Sequence, residues 1–227
     1  MTLPLSVRGL SVPNPRGRAI LTVDELDIPA GSLVGVRGPS GAGKSTLLYA
    51  LAGLWSGAKG AVRWGETEIL ALSDARRTAF RADHFGMIFQ DFLLFEELSA
   101  AGNAGLVSLF RRRRDRAGVT KRARQGLAHL GLTDTPRAVA SFSGGERQRV
   151  AVARALAHDP HVLLADEPTA SLHREAADAL IDDMVKLVRD SGKTLIAVSH
   201  DLALLDRMDR VVSVIDGRVD CDVEVRA

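Results

Sequence analysis

A short apolar run, Leu33 to Val36, leads into GPSGAGKST, and the residues after it, Thr46 to Gly53, read as a helix with Leu47, Leu48 and Leu51 available to a core. Gly38 to Ser45 match the pattern G-x-x-x-x-G-K-S/T without exception. A chain wrapped around a triphosphate must turn several backbone N–H groups inward, and Gly38, Gly41 and Gly43 can take the angles that this wrap needs. Pro39, Ser40 and Ala42 complete the loop, Lys44 supplies a compact positive charge for the outer phosphates, and Ser45 offers a hydroxyl to Mg²⁺. The helix beginning at Lys44–Thr46 points its positive dipole end at the anion. Such a loop requires a strand before it and a helix after it, and both are present.

The rest of the chain alternates in the same way. Leu3 to Val12 and Ala19 to Ile28 alternate like strands around the turn-rich stretch Pro13 to Gly17, and Ala61 to Trp64 and Phe85 to Phe89 read as further strands. Between about Phe92 and Thr135 the pattern is helical and irregular, interrupted by Gly102, Gly105, Gly118 and Gly131. Gly145 to His158 then reads as a helix, His161 to Ala165 as a strand, and Arg174 to Ser191 as a helix with Ala177, Leu180, Met184 and Leu187 on one stripe. Thr194 to Val198 and Arg210 to Ile215 are strands, and Gly217 marks a last hairpin. This order predicts an α/β fold with a mainly parallel core sheet, an N-terminal antiparallel β subdomain and an inserted α-helical subdomain. The expected division is one domain over 1–227, with 1–91 and 159–227 as the core and about 92–158 as the helical subdomain.

A second cluster of polar residues follows a buried strand. Val162 to Ala165 form a continuous apolar run that ends in Asp166 and Glu167. Ligands of parallel sheets sit at the carboxyl ends of strands, so both acids should reach the phosphates. Asp166 is expected to hold the metal, directly or through water, and Glu167 to orient and deprotonate an attacking water.

Charge and composition narrow the class. At 227 residues the chain can bury one sizeable core, and no stretch of roughly 20 apolar residues offers a membrane span. Its start, MTLPLSVRGLSV, alternates like a strand and lacks a signal-peptide layout. The single cysteine, Cys221, excludes an internal disulfide and fits a reducing compartment, so a cytoplasmic site is expected. A formal charge of +2 gives no argument for nucleic acid. One local run stands out, Arg111 to Arg114 and Arg116 followed by Lys121, Arg122 and Arg124. It reads either as a solvated face or as a contact for anionic headgroups or an acidic partner. Only Phe110 interleaves with it, which weighs against binding of single-stranded nucleic acid.

SFSGGERQRVAVARAL, Ser141 to Leu156, resembles the signature of the ABC ATPase family, with Phe142 where leucine is usual and Glu146 where glutamine is frequent. Gln90, after an apolar strand, looks like that family's glutamine loop, and His200 in Ser199-His200-Asp201 looks like its switch histidine. The resemblance covers essentially the whole chain. It implies an ATP-hydrolysing subunit that powers a membrane transporter or a mechanotransmission complex. Two copies would pack head to tail around two Mg-ATP, with Ser143, Gly144, Gly145 and Glu146 of one copy closing on the γ-phosphate held by Lys44 of the other. Gln90 would sense Mg²⁺ and water, and His200 would contact the γ-phosphate.

Within the family, SGGERQRVAVARAL followed by VLLADEPTASL is most similar to ATPases serving lipoprotein-releasing, macrolide-export and cell-division-type permeases. The resemblance places a permease near Phe92, Leu93, Leu94 and Phe95, a segment that reads equally as plain core packing. It also implies a peripheral position on the cytoplasmic face of the membrane, with the transported substrate bound elsewhere and no nucleic-acid partner. Two departures stand out. No aromatic residue for stacking on adenine lies near Val12 and Pro13, which leaves apolar or arginine side chains. His173 stands where aspartate is usual, either as a pH-sensitive brake or as a harmless substitution. Rival readings are a non-transport ATPase acting on DNA or ribosomes and a module that uses ATP only to dimerise. The chain has no room for a long coiled coil and carries one ATPase unit, and Glu167 and His200 oppose the dimerisation module.

Overall fold

The structure, a computed structural model, describes residues 3–132 and 136–225. Strands β1 (Leu5–Pro13) and β2 (Ala19–Ile28) precede β3 (Leu33–Arg37) and helix α1 (Lys44–Leu51). Then come β4 (Lys59–Trp64), β5 (Thr67–Glu68), α2 (Asp74–His84) and β6 (Phe85–Ile88). Helices α3 (Ala100–Gly105), α4 (Arg116–His129) and α5 (Gly144–Leu156) follow in succession. The chain continues through β7 (Val162–Asp166), α6 (Arg174–Asp190), β8 (Thr194–Val198), α7 (Leu202–Leu205), β9 (Arg210–Ile215) and β10 (Arg218–Val225).

All the strands join one sheet, in the order β5-β4-β1-β2-β10-β9-β3-β8-β7-β6. From β9 to β6 every pair is parallel, whereas β1, β2, β4 and β5 pair antiparallel. A single parallel register pair, Arg218 with Thr22, links the two halves through β10. The β9–β10 hairpin turns at Asp216 and Gly217, both at positive φ, as a two-residue turn matched to the twist of its strands requires.

Burial follows the period of two. In β7, Val162 and Leu164 enter one core with Val34, Val36, Ile196, Val198 and α1. Leu163 and Ala165 face the other way, with Leu195, Ala197, α5 and α6. Both faces of the parallel strands are therefore covered, which is why these segments read as unbroken apolar runs. The antiparallel half packs on the first core, where Trp64 is fully buried and its indole N–H donates to Leu51 O at 2.8 Å.

Helices α3, α4 and α5 pack chiefly on one another, through Ala100, Ala104, Val119, Ala123, Leu127 and Val150. The stretch from Phe92, expected to be helical and irregular, opens with an irregular segment whose backbone Asn103 binds. The buried Asn103 amide donates to Phe95 O and accepts from Phe95 N–H, at 2.9 and 2.8 Å. The expected far limit at Thr135 lies outside the described residues. Helix α6 carries the predicted stripe with one correction. Ala177, Leu180 and Met184 are buried, but Val188 takes the last core position and Leu187 is only partly buried, because Ile181 and Val185 rotate the apolar face.

Candidate active site

The phosphate loop runs from the end of β3 to α1 along the neighbouring β9. A Cβ on Gly38 would lie 2.1 Å from Val214 O, so only glycine admits this approach. Gly43 caps α1 at φ 103, in the left-handed region that glycine enters without strain. Lys44 Nζ donates to Gly38 O and Pro39 O at 2.9 and 3.0 Å, so the ammonium is held across the loop. A cavity of about 390 Å³ opens beside Pro39–Ala42 and is walled on its far side by Asn14, Arg18, Ile20 and Gly217.

Asp166 ends β7 and is 2% exposed. Its two oxygens accept from Ser45 Oγ at 2.9 Å and Tyr49 OH at 2.7 Å. Ser45 and Tyr49 stand four residues apart on α1 and so share a face. Burial, and after it the bond to Asp166, pushes the Tyr49 phenol above its ordinary range and keeps it a donor. Tyr49 was not among the sequence-predicted residues, although its spacing from Ser45 is a usable signal. Ser45 is thus paired with an acid at the end of β7, two strands along the sheet from β3.

Glu167 follows at φ 48, a left-handed angle for a non-glycine residue, with its N–H donated to Val198 O at 2.9 Å. Strain of this kind is typical of functional sites. His200 Nδ1 lies 2.9 Å from Glu167 Oε2, an oxygen that is buried and makes no hydrogen bond of acceptable angle. Next to it Asp201 accepts from Thr169 Oγ1 at 3.1 Å and from Arg174 at 2.9 Å, and caps α7. Burial alone would raise the Asp201 carboxyl, but the bonds from Arg174, the Ala203 N–H and Thr169 hold it below the usual carboxylate range. This network fixes the loop that carries His200, and sequence reasoning missed it because its members are far apart in the chain.

Gln90 is exposed in the turn after β6 and makes no side-chain hydrogen bond among the described residues. The segment beyond it is firmly held. Phe92 and Leu93 lie at φ 59 and 49, and both carbonyls accept from the Arg154 guanidinium of α5, that of Phe92 at 2.6 Å. Leu93 and Phe95 point outward, 56% and 54% exposed, whereas Phe92 and Leu94 are partly buried and Leu94 packs on the second core. The apolar segment is therefore half core and half surface.

The signature opens α5 with a capping box: Ser143 Oγ accepts from Glu146 N–H at 3.3 Å, and Glu146 Oε2 accepts from Ser143 N–H at 2.8 Å. That second bond, above all, holds the Glu146 carboxyl below its ordinary range. Ser143, Gly144 and Gly145 line a cavity of about 430 Å³ together with Ser171, Leu172 and His173. His173 has a local task there, since its Nδ1 accepts from Ala176 N–H at 3.3 Å and caps α6. The same chain's phosphate loop takes no part in this cavity, so the two segments open into separate cavities of one copy.

A profile of the ABC transporter family matches residues 21–170. The lipoprotein-releasing system ATP-binding protein LolD of Nitrobacter hamburgensis is 42% identical over 201 residues, covering 88% of this chain and 86% of that protein. The uncharacterized ABC transporter ATP-binding protein YbbA of Escherichia coli K12 is 41% identical over 202 residues, 88% of each chain. Among solved structures, the dimeric post-hydrolysis state of the cassette MJ0796 bound to ADP and Pi superposes with a TM-score of 0.85 at 30% identity, covering 98% of this chain and 99% of that one. The chain belongs to the ABC transporter family and is an ATP-binding, ATP-hydrolysing subunit of it.

Proposed function

We propose that this chain hydrolyses Mg-ATP as one half of a head-to-tail pair that drives a membrane permease. The observation that carries this reading is the separation of the two half-sites. A loop built to hold phosphates and a helix start built to meet an anion open into different cavities of one copy. A two-fold pair brings the signature of each copy onto the loop of the other and completes both sites with one self-complementary interface.

Within each site the residues divide the work. Gly38 to Thr46 wrap the phosphates, and Lys44 exchanges two neutral carbonyl acceptors for anionic oxygens. Ser45, Asp166 and Gln90 would hold Mg²⁺, which would neutralise charge on the outer phosphates. The fit rests on hard oxygen donors, since Ser45 Oγ and Asp166 Oδ1 already converge to 2.9 Å. Glu167, whose buried Oε2 makes no hydrogen bond among the described residues, takes a proton from water as the water oxygen bonds to the γ-phosphorus and the bridging oxygen leaves with ADP. His200, whose Nδ1 lies 2.9 Å from this carboxylate, meets the γ-phosphate. Ser143, Gly144, Gly145 and Glu146 of the second copy close the site. Ile20 and Arg18 provide the surface on which adenine rests in place of an aromatic ring.

The exposed side chains of Leu93 and Phe95, backed by Phe92 and Leu94, form the permease contact on the cytoplasmic face. No described helix is long and apolar enough to cross a membrane, which fits a peripheral subunit carried by its permease. Equilibrium titration with ATP tests the cradle: Lys44→Ala weakens binding by about 10–100-fold, the scale of losing charge-assisted bonds. Unchanged affinity contradicts the assignment.

A further inference from the structure

We infer that the segment Leu109–Lys121 is a membrane-surface contact that takes the headgroups of anionic phospholipids. Leu106–Phe110 forms a 3-10 turn that ends in two large apolar side chains, Leu109 and Phe110, 60% and 80% exposed. From Arg111 to Arg124 there are eight basic residues against the single acid Asp115, in a chain whose overall formal charge is only +2. The basic residues have two distinct fates.

One group builds the loop. Arg111 binds the Asp83 carboxylate and Ala82 O at the end of α2. Arg116 folds back onto Arg111 O and Leu109 O at 3.2 and 3.4 Å, and Arg122 donates to Ala157 O at 2.9 Å. The other group is left outward: Arg112, Arg113 and Lys121 are exposed, and their side chains make no hydrogen bond or ion pair among the described residues. Arg114 reaches only Asp115, at 3.7 Å.

A merely solvated face gains nothing from holding a leucine and a phenylalanine in water beside these cations. A loop pinned at Arg111 and Arg116, with a protruding ring and free guanidiniums, suits a fluid interface. The apolar tips enter the boundary between headgroups and acyl chains, while the guanidiniums meet lipid phosphates. Unlike the permease contact at Leu93 and Phe95, this surface needs no shaped partner.

Co-sedimentation of the full chain with vesicles tests the inference. Wild type binds vesicles of mixed phosphatidylcholine and phosphatidylglycerol, with an affinity that falls as salt rises, and ignores pure phosphatidylcholine. R112Q/R113Q/R114Q lowers the partition on the order of a hundredfold, and L109S/F110S lowers it while leaving the salt dependence in place. Both variants keep basal ATP turnover, which shows that they fold. Three results would overturn the assignment. Wild type could fail to bind phosphatidylglycerol vesicles. The charge-matched variant K59Q/R63Q/R76Q could weaken binding as much as the loop variant. Or the chain could ignore vesicles yet bind polyglutamate through Arg112–Arg114, which would give the patch to an acidic protein.

Discussion

Arg154→Met releases the segment beyond Gln90 from the signature helix. The guanidinium makes two bonds to backbone carbonyls, each worth about 1.5–3 kcal/mol for a charged donor. Part of that total holds Phe92 and Leu93 at positive φ, at a cost of roughly 1 kcal/mol or more for each residue. The net loss of local stability is therefore about 3 kcal/mol, or about 10²-fold in the opening equilibrium of this segment. Amide hydrogen exchange read residue by residue by NMR measures it. The Phe92 and Leu93 amides, bonded to Phe89 O and Asp91 O, should exchange about 10²-fold faster. The Phe95 amide, anchored separately on Asn103, should change by less than about tenfold. Unchanged rates at Phe92 and Leu93 refute the tie. Equal acceleration throughout α5 refutes its local character.

Acid should weaken the fold through His158, which burial first, and the nearby Arg111 charge second, depress from 6.5 to about 4. The unfolded chain takes up that proton near pH 6.5 and the folded chain refuses it until about pH 4, so this stability is intact above 6.5 and is lost as pH falls. The loss between pH 7 and 5 is about 2 kcal/mol, or roughly 4–8 °C in melting temperature, and His158→Gln should remove it; a melting temperature flat over that range in wild type contradicts this. His173→Asp supplies a stronger, negatively charged cap for α6 and should raise the melting temperature by roughly 2–4 °C, whereas a fall would show that the imidazole makes contacts beyond Ala176 N–H. Gly38→Ala, with its Cβ driven onto Val214 O, should abolish ATP binding; retained affinity would show that the loop can shift without losing its grip.

Much of the architecture was legible because it depends on periodicities that a buried sheet imposes. Runs such as Leu33–Val36 and Val162–Ala165 face cores on both sides, and the residues at their carboxyl ends are those that carry polar chemistry. Helix α2 was not legible, since none of its residues is buried and it is held by Arg77 and Arg81 donating to carbonyls of Gly53, Leu70 and Leu72. Nor were β5 and α7, which at 2 and 4 residues span scarcely more than one period of their patterns. The bridge between the two halves of the sheet rests on one register pair, for which local sequence carries no mark. Of the candidate site, Lys44, Ser45, Asp166 and Glu167 stand out in the sequence by type and spacing. Arg154, Thr169 and Arg174 act through atoms that only the folded chain brings near, backbone carbonyls in one case and the Asp201 carboxylate in the others.

On the proposed function, ATP is gripped between two copies and hydrolysed by Glu167. Sedimentation velocity of Glu167→Gln with and without Mg-ATP, alongside its turnover, measures both parts at once. The expected result is a shift from monomer to dimer on adding nucleotide, with hydrolysis lowered by roughly 10²–10⁴-fold. A variant that stays monomeric with saturating Mg-ATP, even beside its permease, or one that turns over at a near-normal rate, contradicts it.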